Sequence, residues 1–159
     1  LRSTSMLLTD LTWPAVDKLS RDVPVIIPIA ALEQHGHHMP VFTDSMLLGE
    51  VIRRVVDPLQ DKAVFTPMMW WGNSHHHMDF PGTLSAEPRL YLDLLNGLMD
   101  NFIAHGFKRL VFLNGHGGND IPGKQAAAFA HGHEQYAAAA PAAPPTRRRA
   151  GGTSLWPSA

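Results

Sequence analysis

Cysteine is absent from this chain of 159 residues. That excludes disulfides and thiolate metal ligands together, leaves imidazole and carboxylate as the ligands on offer, and fits a cytoplasmic location. No apolar run approaches the ~18 residues of a membrane span, and no secretory apolar core opens the sequence. An excess of one charge sign is lacking too, since 13 lysines and arginines face 14 aspartates and glutamates for a formal net charge of -1. Neither nucleic acid nor a membrane is therefore an expected partner. What is present is apolar material, 45% hydrophobic residues, enough for one domain with a real core. The chain opens on Leu1, so its start is expected upstream or at Met6.

Helix and strand signals alternate. Thr12-Trp13-Pro14 predicts a short helix, with proline tolerated in the first turn and Val16 and Leu19 on one face. Val23 to Ala31 is a β-branched apolar run of strand length. From Asp44 onward Leu47, Leu48, Val51, Ile52 and Val55 recur at helical spacing, with Arg53 and Arg54 toward solvent, until Asp57-Pro58 ends the helix. Ala63 to Trp71 reads as a second strand interrupted by Pro67. Ser85, Glu87 and Pro88 mark another helix start, with Leu94, Leu95, Leu98 and Phe102 as its apolar face up to His105-Gly106. Arg109 to Leu113 is a compact buried strand. Strands separated by helices imply right-handed crossovers and a parallel sheet, whose ligand sites lie outside the carboxyl ends of the strands.

Two segments carry the chemistry, and each follows one of those strands. Glu33-Gln34-His35-Gly36 runs on to Thr43-Asp44, and Asn114-Gly115-His116-Gly117-Gly118-Asn119 lies far downstream. Zinc and manganese accept imidazole and carboxylate together. Alternation in an extended segment puts Glu33 and His35 on one side and turns Gln34 away. Asp44, with two oxygens, can bridge two ions. Taken singly, His35 or His116 is more often a hydrogen-bonded core residue, Asp44 a helix cap, and Gly117-Gly118 a turn.

Ile27 to Gly36 with His38, Pro40 and Thr43-Asp44 resembles the first signature of the creatininase (creatinine amidohydrolase) family. Asn114 to Asn119 is similar to its second, and Gly72-Asn73-Ser74 through His77 to Phe80-Pro81-Gly82-Thr83-Leu84-Ser85 resembles the stretch between. The resemblance covers roughly residues 9 to 125. It implies an α/β fold, three-layer α/β/α with a mainly parallel sheet, over a partial domain of residues 1–136. It also implies a metal-dependent amidohydrolase that cuts a non-peptide C–N bond of a small cyclic or formyl amide, where ions polarise the carbonyl and activate water. Glu33, His35, Asp44 and His116 are the implied ligands of two zinc or manganese ions, with Asp44 as the bridge. His37 and Phe42 stand where the family usually has proline and often has glycine, so the loop between His35 and Asp44 is expected to differ in shape. Family members continue into a later segment that supplies a further glutamate ligand and a catalytic histidine. No such segment is found here, which implies truncation or a frameshift, with a disordered natural extension as the competing account, and little or no activity of the chain as it stands. His38 is the local candidate for proton transfer.

A homo-oligomer is implied as well, with Met68, Met69, Trp70 and Trp71 as interface candidates. His77 is expected to line the pocket or to help a neighbouring subunit's site, while His75 and His76 are expected to be solvated, since adjacent residues point in different directions and do not readily share an ion. His131, His133 and Glu134 are set aside as substitute ligands because a variable tail offers no fixed geometry. Residues 137–159, rich in alanine, proline and arginine and including Arg147-Arg148-Arg149, are expected to be disordered. Two other readings stand beside the enzyme: a metal-binding remnant without turnover, and a nucleotide-binding α/β module on Gly115 to Gly118, although the lysine and spacing of a P-loop are missing.

Overall fold

The computed structural model describes the backbone of residues 6–137 and the side chains of residues 6–128. Three parallel strands, β1 (Val25–Ile29), β2 (Val64–Phe65) and β3 (Leu110–Asn114), lie in the order β2-β1-β3. Four helices accompany them: α1 (Trp13–Asp17), α2 (Thr43–Val55), α3 (Pro88–Ala104) and α4 (Asp120–Ala137). The step from β1 to β2 and the step from β2 over to β3 run in opposite directions across the sheet. Right-handed crossovers therefore place α2 and α3 on opposite faces, giving the expected α/β layering. Among the described residues no helix is long and apolar enough to cross a membrane.

Central strand β1 contains Pro28, a residue that cannot donate to a ladder. The hydrogen bonds show how it is accommodated. Val25 N donates to Arg109 O, and Ile29 O accepts from Gly115 N, so odd residues of β1 face β3. Even positions face β2: the carbonyls of Pro24, Ile26 and Pro28 accept from Val64, Thr66 and Met69. The absent donor of Pro28 thus points at the place where β2 has already broken at Pro67. The expected strand from Ala63 to Trp71 is in fact two paired residues and a later bridge between Ile29 and Met69.

The core lies between β1 and the α3–α4 layer, where Val25, Ile27 and Ile29 meet Tyr91, Leu95, Met99, Phe107 and Ala126. On α3 the expected apolar face is shifted, because Leu94 is 43% exposed while Tyr91, which burial makes a weaker acid, is fully enclosed. The start of α3 is capped by the Glu87 carboxylate, which accepts from Arg89 N and Leu90 N, and not by Ser85. Its end is a Schellman turn at Gly106 (φ +86°), with Phe107 N bonded to Phe102 O and the two rings 5.9 Å apart. On α2 the buried stripe is narrower than expected. Leu48 is buried with Ile52 and Val55 half-buried behind it, but Leu47 and Val51 turn to solvent at 64% and 46% exposure.

Helix α4 was not expected, and it carries the backbone of His131, His133 and Glu134 and ends at Ala137, the first residue of the stretch read as disordered. The rest of that stretch, residues 138–159, lies outside the described residues. A groove of about 420 Å³ runs along the outer side of β3, lined in part by Met99, Ile103, Phe107 and Val111. None of the four expected metal ligands borders it.

On the solvent side of α2, Glu50 accepts hydrogen bonds from Arg53 and Arg54 at 2.7–2.8 Å. These bonds hold its carboxyl down at about 2 against an ordinary 4.5. A depressed folded-state value means that the contribution to α2 is present above the ordinary value and is lost as pH falls through the folded one. In an NMR carboxyl titration Glu50 is expected to titrate well below the ordinary range, with the shift eroding in high salt because the pairs are exposed. A midpoint near 4.5 would show that these bonds do not persist in solution.

Candidate metal centre

Beyond Ile29 the chain leaves the sheet through buried Ala30 and Ala31, and its backbone stays tied down. Ala30 N donates to Met69 O, Glu33 N to Val41 O, and Leu32 forms a bridge with Leu84. Gln34 N donates to Thr83 Oγ1. Gly36, at φ +74°, turns the loop back, and Thr43 opens α2 with its hydroxyl on Pro40 O. Ser45 Oγ donates to Ala31 O at 2.8 Å, which fastens the first turn of α2 to the end of β1. These ties carry Asp44 over the carboxyl end of the sheet, where the N-terminal dipole of α2 favours its charge. Asp44 does not cap the helix.

From the other side β3 delivers His116, whose N–H donates to Asn114 Oδ1 at 3.0 Å. The four expected ligands meet here. Asp44 is the hub, with Oδ1 3.0 Å from His35 Nε2 and Oδ2 2.8 Å from His116 Nδ1. Glu33 Oε1 lies 3.4 Å from His116 Nδ1. Ligand atoms of Glu33, His35 and Asp44 fall within 4.8 Å of one another.

The far nitrogen of each ring decides what the near one can do. His35 Nδ1 lies 3.1 Å from the Glu33 carbonyl, and His116 Nε2 lies 3.0 Å from the Asn73 carbonyl. A carbonyl only accepts, so a ring nitrogen that donates to it leaves a neutral ring with its lone pair toward Asp44; His116 Nε2 has the Ser74 hydroxyl at 3.2 Å as well. A lone pair facing a carboxylate repels it unless a proton or a cation intervenes. Burial works against protonating His35, yet the Glu33 carbonyl and the Asp44 and Glu33 carboxylates together outweigh it and hold its pKa above the usual 6.5. A divalent cation answers the same demand. Glu33 adds a second sign of fit, because its Oε2 is buried with no hydrogen-bond partner among the described residues, a costly state for a carboxylate.

Other expected residues are placed as follows. His38 is exposed on the loop and forms no described hydrogen bond with the four. His77 is half-buried, with Nε2 3.9 Å from Glu33 Oε1. His76 and His77 correct the expectation that neighbours diverge: in a tight 3-10 turn their ring centroids lie 4.2 Å apart, and both bring a nitrogen within 4.8 Å of Glu33. Met69 packs against the core, whereas Trp70 and Trp71 are 43% and 38% exposed.

Asn73, Ser74 and Asn119 belong to the resembling segments, but their supporting contacts are visible only in the structure. Asn119 is fully buried, donates to Ala30 O and accepts from Asn73 N, both at 2.9 Å. Ser74 Oγ sits 3.2 Å from His116 Nε2. The glycine loop is spent on packing. A Cβ on Gly118 would strike Asn73 O and His116 Nε2, and one on Gly115 would meet Leu48 Cβ at 2.9 Å.

Sheet and ligands together define an α/β protein with a candidate divalent-metal centre at the carboxyl ends of its strands. A family model described as creatinine amidohydrolase matches residues 9–155, and the chain belongs to this creatininase family. The creatinine amidohydrolase of Pseudomonas putida is 30% identical over 126 residues, covering 75% of this chain and 48% of that protein. A mycofactocin precursor peptide peptidase of Mycolicibacterium smegmatis is 37% identical over 99 residues, covering 60% of this chain and 40% of that one. A solved creatininase mutant of Zn-Zn type superposes with a TM-score of 0.74 at 30% identity, over 86% of this chain and 55% of the other. The chain thus spans about half the length, or less, of the relatives it matches.

Gly72 shows how tightly the centre is built, since a Cβ there would collide with Ala30 O and approach Asn119 Oδ1 to 2.7 Å, whereas one on Gly117 would meet nothing within 4 Å. Gly72→Ala is expected to cost roughly 1–3 kcal/mol or more through overpacking, and Gly117→Ala to stay within about 0.5 kcal/mol of wild type. Urea unfolding of the two variants side by side checks this. Equal stabilities would contradict the packing described.

Proposed function

We propose that the chain carries the metal-binding core of a hydrolase that cuts the C–N bond of a small cyclic or formyl amide. The carrying observation is the pair of histidines, each pinned through one nitrogen to a backbone carbonyl and each turning the other nitrogen to a different oxygen of Asp44. Metal-binding histidines are oriented in this way by their outer hydrogen bond. Glu33, His35, Asp44 and His116 would hold zinc or manganese, two ions in the complete enzyme, with Asp44 shared. Solved creatininases named as Zn-Zn and Mn forms support that choice of ion. When bound, such ions acidify water and polarise a carbonyl.

The chain's own residues orient and enclose. Asn73 and Ser74 fix the His116 ring, and Asn119 ties their loop to the end of β1. His38, free of the hydrogen-bonded cluster on its exposed loop, is available to carry a proton. The mycofactocin peptidase gives a second reading, a short peptide amide as substrate, supported by its higher identity over the matched segment.

Metal-free protein is expected to take up Zn2+ or Mn2+, and an Asp44→Ala, His116→Ala double variant to take up little. Elemental analysis after gel filtration checks this, and equal metal content in the two would overturn the centre. Loaded protein is then assayed against creatinine, lactams, formamides and short peptides. Turnover that survives both chelation and Asp44→Ala would refute metal dependence, and bound metal without turnover on any substrate would favour the non-catalytic reading. We further propose that exposed Trp70 and Trp71 contribute to a homo-oligomer interface, since aromatic side chains are enriched there. Light scattering is expected to show an assembly that Trp70→Ser, Trp71→Ser weakens. A stable monomer at high concentration would remove that interface.

A further inference from the structure

The ring of His77 has neighbours whose hydrogen-bonding capacities leave it a single neutral form. Its Nδ1 lies 3.0 Å from Gln34 Nε2, and Gln34 Oε1 accepts from Gly36 N at 2.9 Å. A backbone N–H can only donate, so the amide oxygen of Gln34 is committed to Gly36 and its NH2 group is left facing His77. His77 Nδ1 must then accept, which puts the ring's proton on Nε2. Strand alternation is expected to turn Gln34 away from Glu33 and His35, yet its amide meets a ring that stands beside Glu33. Nε2 lies 3.9 Å from Glu33 Oε1, beyond direct hydrogen-bond reach.

We propose that Gln34 locks His77 as a neutral Nε2–H donor beside the metal centre, which bars it from ligating an ion and assigns it to a carbonyl oxygen of the substrate. This rests on the hydrolase reading above and adds a substrate-binding residue to it. The grouping of Glu33, His76 and His77 within 4.8 Å has the spacing of a cation site, but ligation by His77 Nε2 needs a lone pair there. Freeing that lone pair moves the proton to Nδ1, where it meets the Gln34 NH2 group.

What remains is a fixed electrophile. A neutral imidazole donor polarises a carbonyl without giving up its proton, and a donor held in place before reaction stabilises charge as it develops on oxygen. The ring is braced for that task by His76, 4.2 Å away, and by Phe80 edge-on at 6.3 Å. The substrate class this selects is one that presents a carbonyl acceptor beside the scissile C–N bond.

Long-range 1H–15N NMR of the histidine rings, recorded at neutral pH on metal-free and Zn2+-loaded protein, tests the assignment. In both states His77 is expected to show a protonated Nε2 and a bare Nδ1, and 2-pyrrolidinone added to saturation is expected to shift the Nε2 proton. Gln34→Glu, whose carboxylate accepts from Nδ1, is expected to reverse the tautomer and abolish the lactam shift. His77→Gln is expected to leave Zn2+ content unchanged, whereas His35→Gln lowers it. A protonated Nδ1 in the wild type, loss of the Nε2 proton on adding Zn2+, or a lactam without effect on that proton would each overturn the proposal. The tautomer is read without metal, so absence of Zn2+ binding would refute the centre while leaving the Gln34 lock to be judged on its own signal.

Discussion

Everything around the candidate centre depends on one carboxylate. Asp44 meets His35 with one oxygen and His116 with the other, and those two rings, far apart in sequence, follow the neighbouring strands β1 and β3. A positive charge placed among the three, a proton or a cation, suits the carboxylate and the rings turned toward it. Both rings have spent their second nitrogen on backbone carbonyls, so the charge cannot be moved elsewhere by rotating a ring. The sheet sets the distances. β1 and β3 pair along five residues, and α2 is held to the end of β1 through Ser45. Glu33, His35 and His116 thus sit just beyond paired strands and Asp44 in the first turn of α2, with that turn and His116 tied by hydrogen bonds to the strand ends.

Around this hub the structure uses small residues to bring backbones together. Gly72 and Gly118 lie where any side chain would run into a carbonyl of a neighbouring loop. Asn119 fills the space between those loops and satisfies a donor on one and an acceptor on the other. A glycine-rich run after a strand resembles an anion cradle in sequence. In space Gly117 to Asn119 form a 3-10 turn, with Gly115 packed on Leu48 and Gly118 on Asn73.

The parallel sheet, and the meeting of Glu33, His35, Asp44 and His116 at one place, were legible in the sequence because they depend on local order: apolar runs of strand length, alternation across Glu33 and His35, carboxylates and imidazoles directly after a strand. Leu47, Val51 and Leu94 were misassigned to buried faces because helical spacing gives the period of a face and not its width, which is set by what packs against it. Helix α4 was missed since alanine-rich sequence has helix propensity but little apolar patterning. Gln34, Ser74 and Asn119 were read only as neighbours of the motif. Their partners lie 42 to 89 residues away in sequence, and no local signal announces such bonds.

β3 carries one further consequence. Among the described residues no strand pairs with its outer edge, and Val111 on it is 45% exposed. A row of unpaired peptide groups beside apolar side chains is a template on which another extended chain can register. Lys108 and Arg109 guard its start, and no charged residue follows until Asp120. The chain is therefore most vulnerable to self-association along this edge when salt screens those two charges, so buffers of low ionic strength suit its handling at high concentration.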